Sequence, residues 1–268
     1  MKFIQKPKKS LGQNFLIDNN IINKIVEIAD INKNTTVMEI GCGYGNLTKA
    51  IASIGPKKIF AIEKDKKLSL FLEKKFKNFS NIEIINNDIL NIIEKKSLEQ
   101  NIIVFGNLPY NVSTKILASL ILLEKWPPWY DILIFMFQKE VAERILAETH
   151  TKEFGRLSVL SNWRLEIKKH FNISNNCFFP KPDITSTVLS FIPKKKNQFD
   201  LKNPKNLEKV TRILFSNRRK MINKNFSKLF KKNTSIAKNL NIKLNQRPEE
   251  LNNEMFYKIA VIYEKLFG

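Results

Sequence analysis

The chain has 268 residues, 43% of them hydrophobic, and 46 lysines and arginines against 25 aspartates and glutamates give it a formal charge of +21. That length and apolar content suit one large domain with a smaller companion, and the longest apolar runs, such as residues 132–137, fall far short of the ~20 residues that a membrane-crossing helix requires. The charge favours a polyanionic partner; base composition driving codon choice would also add lysine, which makes up 39 of the basic residues, but need not leave so large an excess of base over acid.

The lysine-rich N-terminus has neither the apolar core of a secretory signal nor the Arg/Ser-rich amphipathic character of a transit segment, so no export is expected. Cys42 and Cys177 are the only cysteines and form no Cys-x-x-Cys pair, and His150 and His170 lack metal-ligand spacing. A reducing, cytoplasmic environment and no bound metal are expected.

In chain order, Ile21, Ile22, Ile25, Val26 and Ile28 recur at helical spacing. Residues 37–40 read as a strand, followed by 59–62, 82–85, 102–105 and 132–137, with helical segments between them. Short apolar strands alternating with helices predict an α/β domain built on a parallel sheet. The helix after Asn107 runs through Ile116, Leu117, Leu120 and Leu123 and stops at Trp126-Pro127-Pro128; another covers about residues 138–147. From about 155 to 193 the pattern turns strand-like, in 163–167 and 187–192, and these pieces are expected to close the sheet with antiparallel strands. A polar, proline-bounded stretch over 193–203 sets the expected boundary, with a sheet domain at 1–193 and a small all-α domain at 194–268. In the latter, Leu207, Val210, Ile213 and Leu214 mark one helix, and Leu251, Met255, Ile259, Ile262 and Leu266 another. Residues 200–268 carry 16 basic and 6 acidic side chains, about half of the whole excess charge. Charged helices usually present a solvated face, yet Arg218, Arg219 and Lys220 with Lys224 and Lys228 make a patch suited to phosphates.

Three groups of residues carry chemistry. Glu39-Ile40-Gly41-Cys42-Gly43-Tyr44-Gly45 follows the first strand and opens a helix, where glycine permits a tight turn and close approach of bare backbone to a ligand. The third glycine comes one position too early for a dinucleotide fingerprint, and a carboxylate precedes the first by two, a pattern that fits S-adenosylmethionine better. Glu63 ends the second strand, where an acid can accept both ribose hydroxyls, and Asp88 follows the third, where it can accept from an adenine amino group. Carboxylates near strand ends are also common because loops are polar; three at successive strands are less easily set aside. Asn107-Leu108-Pro109-Tyr110 follows the fourth strand. Its Asn oxygen is one acceptor for an exocyclic amine, the Leu108 carbonyl before proline a second, and Tyr110 a stacking surface; a simple strand-ending turn explains the same four residues equally well.

Together with Lys9 to Leu16, Gln138 to Val141, Gly155 to Ser158, Phe178 to Ser186 and Phe215 to Lys220, these segments make nearly the whole chain resemble the ribosomal RNA adenine dimethyltransferase family. The resemblance implies a Rossmann-like methyltransferase sheet with S-adenosyl-L-methionine as cofactor, and dimethylation of two adjacent adenosines in the 3′-terminal hairpin loop of small-subunit rRNA, within a ribosomal subunit precursor. It also implies that Asn14 and Leu16 complete a cofactor site with Glu39, Gly41, Gly43, Glu63, Asp88 and Asn107, and that Phe178 stacks opposite Tyr110 on the target base. Composition by itself makes Phe178 a core residue. Cys42 and Ile184 stand where the family usually has proline and valine, and neither change removes a functional group. Resistance-type methylation of large-subunit rRNA and a non-catalytic RNA-binding assembly factor are the competing readings; a nicotinamide-dependent oxidoreductase fits neither glycine spacing nor charge. A monomer is expected, since no uncovered apolar stripe stands out.

Overall fold

The computed structural model describes residues 7–8, 12–93, 99–195, 199 and 201–268. Lys9, Ser10 and Leu11 of the N-terminal motif, and part of the expected boundary at 193–203, lie outside the described residues. The chain divides into two compact units: Met1–Ser119, Pro128–Ala142 and Ile167–Pro193 form the first, and Leu120–Pro127, Glu143–Glu166 and Lys194–Gly268 the second. A single cut at 193 therefore does not describe the division, because two segments from the α/β part of the sequence belong with the C-terminal helices.

In the first unit a short strand β1 (Phe15–Leu16) precedes helix α1 (Asn19–Val26), which Asp18 caps by accepting from the Ile21 N–H. Then come β2 (Thr36–Ile40), α2 (Asn46–Ile54), β3 (Lys58–Glu63), α3 (Lys66–Lys75), β4 (Ile82–Asn86), β5 (Ile102–Gly106), α4 (Ser113–Ile121), β6 (Tyr130–Gln138) and α5 (Lys139–Leu146). After α6 (Arg156–Arg164) follow β7 (Leu165–Ile173), β8 (Phe178–Phe179) and β9 (Ser186–Pro193). The main sheet has the order β4-β3-β2-β5-β6-β9-β7, with β2 to β6 parallel and β9 antiparallel to β6; β1 and β8 pair separately. All five residues of β2 and of β5 are buried, as befits parallel strands covered on both faces. Ile40 pairs with both Ile62 and Gly106, and Glu63 with Asn86, so the carboxyl ends of β2, β3, β4 and β5 reach one edge together. Loops that follow those ends converge where ligands bind in open α/β sheets.

Two expectations need correction. Trp163 lies in the last turn of helix α6, which ends at Arg164, and does not begin a strand; β7 starts at Leu165. Helix α6 buries Ser158 and Ser161 as well as Val159, Leu160 and Trp163, so burial on several sides leaves no amphipathic stripe to read. The C-terminal segment holds α7 (Pro204–Leu214), α8 (Asn223–Leu229), α9 (Ser235–Asn239) and α10 (Asn253–Phe267), of which the two middle helices are too short to show a period.

In the second unit Arg164 is 4% exposed, with its guanidinium 3.9 Å from the Trp163 ring and 4.7 Å from that of Trp126. Its Nη1 donates to the carbonyls of Ile121 and Leu123, which the end of α4 leaves without helical partners. Arg164→Ala should cost roughly 3 kcal/mol in urea unfolding, because it orphans both carbonyls and opens a cavity between two indoles.

Candidate active site

The turn from β2 into α2 sets one wall. Gly43 has φ +56, and a Cβ built there would lie 2.6 Å from the Phe15 ring, so the N-terminal strap packs directly on bare backbone. Gly45, at φ +71, lets α2 start against Leu72 and Phe76, each 2.7 Å from a hypothetical Cβ. Lys75, half-buried, donates to the carbonyls of Tyr44 and Gly45 from the far end of α3. Glu63, at the end of β3, accepts from the Gly43 N–H at 2.9 Å and from the Asp65 N–H at 2.8 Å. Burial pushes its carboxyl above the ordinary value, while these N–H donors pull the other way.

Asp88 follows β4 and accepts from the Leu90 N–H at 3.0 Å and from Lys64 Nζ at 2.9 Å. Partial burial works to raise its carboxyl, but the Lys64 and Leu90 bonds outweigh it and hold the group below the usual carboxylate value. It stays ionised at neutral pH, as an acceptor must.

After β5, Asn107 Nδ2 donates to the Asn14 carbonyl at 2.8 Å, which leaves Oδ1 of the same amide as an acceptor at the cavity wall. The Pro109 carbonyl takes the Val112 and Ser113 N–H groups and starts α4, so the proline turn is anchored from behind. Tyr110 shares a 2.7 Å hydrogen bond between its hydroxyl and Ser186 Oγ, and burial pushes its phenol up against the pull of that bond.

A cavity of about 190 Å³ brings these groups together: Asn14, Gly41, Gly43, Glu63, Asp88 and the whole of Asn107, Leu108, Pro109 and Tyr110 line it. Ile40, Ile62, Ile89 and Ile116 supply apolar wall, and Gln13, Lys64 and Asn87 polar wall. Carboxylates at the end of β3 and beyond β4, with glycine backbone at the turn after β2, suit an adenosyl group carrying a positive charge. Gln13, within the Lys9 to Leu16 motif, and Lys64 were not expected to line the site; each lies beside an expected residue, Asn14 and Glu63.

Three expected residues do not line this cavity. Glu39 precedes Ile40 and its side chain is 2% exposed, accepting from Thr48 Oγ1 of α2. Strand alternation explains this, since adjacent residues face opposite ways. Glu39 and Leu16 line a smaller cavity of about 30 Å³ behind the glycine turn. Phe178 is 3% exposed and sits in the core with Leu16 and Ile173, while its neighbour Phe179 is 39% exposed. Pairing of β8 with β1 turns the Phe178 ring inward.

In the second unit Arg218, Arg219 and Lys220 share a broad depression with Lys152, Arg247 and Glu249. Glu249 lies 3.3 Å from Arg218 and 3.9 Å from Arg247, so it restrains two of the cations. Lys224 is exposed on α8 and does not line the depression.

Burial raises the Glu39 carboxyl from 4.5 to about 8, with the Thr48 bond opposing and the Glu63 charge adding. A carboxyl whose pKa rises on folding stabilises the fold fully below 4.5 and loses that contribution as pH climbs through about 8. Glu39→Gln should therefore melt at a temperature that falls less than that of the parent protein between about pH 6 and 9, in paired thermal scans.

The sequence profile of a family described as ribosomal RNA adenine dimethylase matches residues 4–265. A protein of Pelagibacter ubique named ribosomal RNA small subunit methyltransferase A is 49% identical over 263 residues, covering 98% of this chain and 99% of that protein. A protein of the same name from Wolbachia pipientis is 40% identical, with 97% of each chain covered. Among solved structures, a dimethyladenosine transferase from Plasmodium falciparum superposes with a TM-score of 0.75 at 26% identity, over 93% of this chain and 97% of that one. The 23S rRNA methyltransferase ErmE shares the fold, with a TM-score of 0.66 at 19% identity over 93% of this chain and 99% of its own. The glycine turn, the two lining carboxylates and the anchored Asn107 amide thus sit in a chain that belongs to the ribosomal RNA adenine dimethylase family.

Proposed function

We propose that this protein transfers methyl groups from S-adenosyl-L-methionine to N6 of two adjacent adenosines in the 3′-terminal hairpin loop of small-subunit (16S) rRNA, twice on each, during ribosome biogenesis. Relatives named ribosomal RNA small subunit methyltransferase A support the target, and the anchored Asn107 amide carries the chemistry. When bound, the cofactor supplies an electrophilic methyl group on a sulfonium.

The residues of this chain do the rest by placement and polarisation. Glu63 accepts the ribose hydroxyls and Asp88 the cofactor's adenine amine, while the backbone at Gly41 and Gly43 admits close approach. An exocyclic adenine amine is a weak nucleophile, because its lone pair is drawn into the ring. Asn107 Oδ1 and the Leu108 carbonyl accept hydrogen bonds from its N–H groups and stabilise the positive charge that develops on N6 as its lone pair takes the methyl, so no strong general base is needed and the proton N6 loses afterwards passes to water. Tyr110 supplies a stacking ring for the extruded base, offsetting part of the unstacking cost. Phe178 joins it only if its ring leaves the core. Arg218, Arg219, Lys220 and Lys224 contact rRNA phosphates. The substrate is rRNA within a subunit precursor, and the protein works as a cytoplasmic monomer; no helix among the described residues is long and apolar enough to cross a membrane.

With labelled cofactor and immature small subunits lacking dimethyladenine, label should map to the 3′-terminal loop; transfer to large-subunit RNA, or none, would overturn the reading. Asn107→Ala should lower the single-turnover rate by at least about 100-fold with subunit binding nearly unchanged. Replacing both Arg218 and Arg219 with Ala should weaken RNA binding and reduce the slope of log K against log salt by about 1 to 2. An unaltered slope would leave the patch as a solvated face.

A further inference from the structure

Asp65 caps α3 through one oxygen, Oδ1, which accepts from the Lys67 N–H at 2.9 Å and the Leu68 N–H at 3.5 Å. A neutral Asn or Ser would cap as well. Its side chain is only 1% exposed, and a buried carboxylate is costly unless its charge and its second oxygen find partners. Oδ2 meets Lys8 Nζ at 2.7 Å and Gln13 Nε2 at 3.5 Å, and the Lys8 N–H donates to Gln13 Oε1 at 2.8 Å. A single buried charge thus gathers two residues of the N-terminal strap.

What the strap does next gives that contact its meaning. Gln13 leads into Asn14, whose carbonyl takes Asn107 Nδ2, then into Phe15, whose ring lies on Gly43, and Leu16, whose carbonyl accepts from Asn46 Nδ2 at 2.9 Å. From its other side, the Asp65 N–H donates to Glu63 Oε1. One residue therefore ties the carboxylate wall of the cavity to the strand of chain that orients the amide. We infer that Asp65 is a positioning residue for methyl transfer: by holding Lys8 and Gln13 it places the Asn14 carbonyl that turns the Asn107 oxygen towards the target amine. The inference rests on Asn107 being the amine acceptor.

The test is a double-mutant cycle on the full chain, with Lys8→Met, Asp65→Asn and both together. Single-turnover methyl transfer to immature small subunits is measured at saturating cofactor, beside melting temperature and amide exchange of residues 12–16. Asparagine keeps the α3 cap, so melting should shift little. Each single variant should slow transfer by at least about tenfold, and the double variant should be no slower than Asp65→Asn, because both changes open one latch. Exchange at 12–16 should accelerate in all three. Parental rates and exchange in both single variants would overturn the inference, as would rate losses that multiply in the double. If the unmodified protein transferred no methyl, the functional reading would fail instead, and exchange at 12–16 would still decide whether the latch exists.

Discussion

The amide of Asn107 has one donor end and one acceptor end, and the Asn14 carbonyl takes the donor. In the proposed transfer, an amide free to rotate would offer the target amine its own N–H half of the time, and two donors facing each other repel. Anchoring removes that choice before any ligand arrives, in the manner of preorganised dipoles that act without reorganising during reaction. The anchor comes from 93 residues earlier in the chain, so the strap, the glycine turn and the proline turn all have to be in place together.

Several features follow from that requirement. Gly43 lacks a side chain because the Phe15 ring occupies the space, and its N–H reaches Glu63. Glu63 in turn receives the N–H of Asp65, whose side-chain Oδ2 reaches Lys8 and Gln13, so Asp65 touches carboxylate and strap at once. Asp88 is held separately, by Lys64 and the Leu90 N–H, and keeps its charge despite partial burial. The two acids meet opposite electrostatic outcomes: burial prevails at Glu63, while at Asp88 the Lys64 and Leu90 hydrogen bonds and the nearby lysine charges together outweigh it. Glu39 goes further still, so deeply buried that its carboxyl rises to about 8, which suits a structural role beneath the turn better than ligand contact.

The second unit uses charge differently. Arg164 is buried between indoles and spends its donors on carbonyls at the end of α4, whereas Arg218 and Arg247 lie in an open depression with Glu249 between them. A buried guanidinium with partners serves stability, and partly exposed ones that share a single carboxylate keep a net positive charge, which suits the proposed contact with phosphates.

The sequence by itself determined the parallel strands and marked Gly41, Gly43, Glu63, Asp88 and Asn107 to Tyr110 among the residues of the main cavity, because each depends on local pattern: short apolar runs, glycines where a turn needs them, and acids or amides at or just past a strand end. It also determined the basic character of the C-terminal helices. Tertiary structure decided what pattern does not encode. Glu39 and Phe178 turned inward because strand alternation and the β1–β8 pairing set their faces. Trp163 and Arg164 fell at the end of helix α6, just ahead of strand β7, because burial of that helix on several sides hides its period. Asp65, silent in the sequence beside Glu63, became a junction only once the chain had brought Lys8 and Gln13 to its second oxygen. Such contacts join residues 52 or more positions apart, and no local periodicity carries information over that distance.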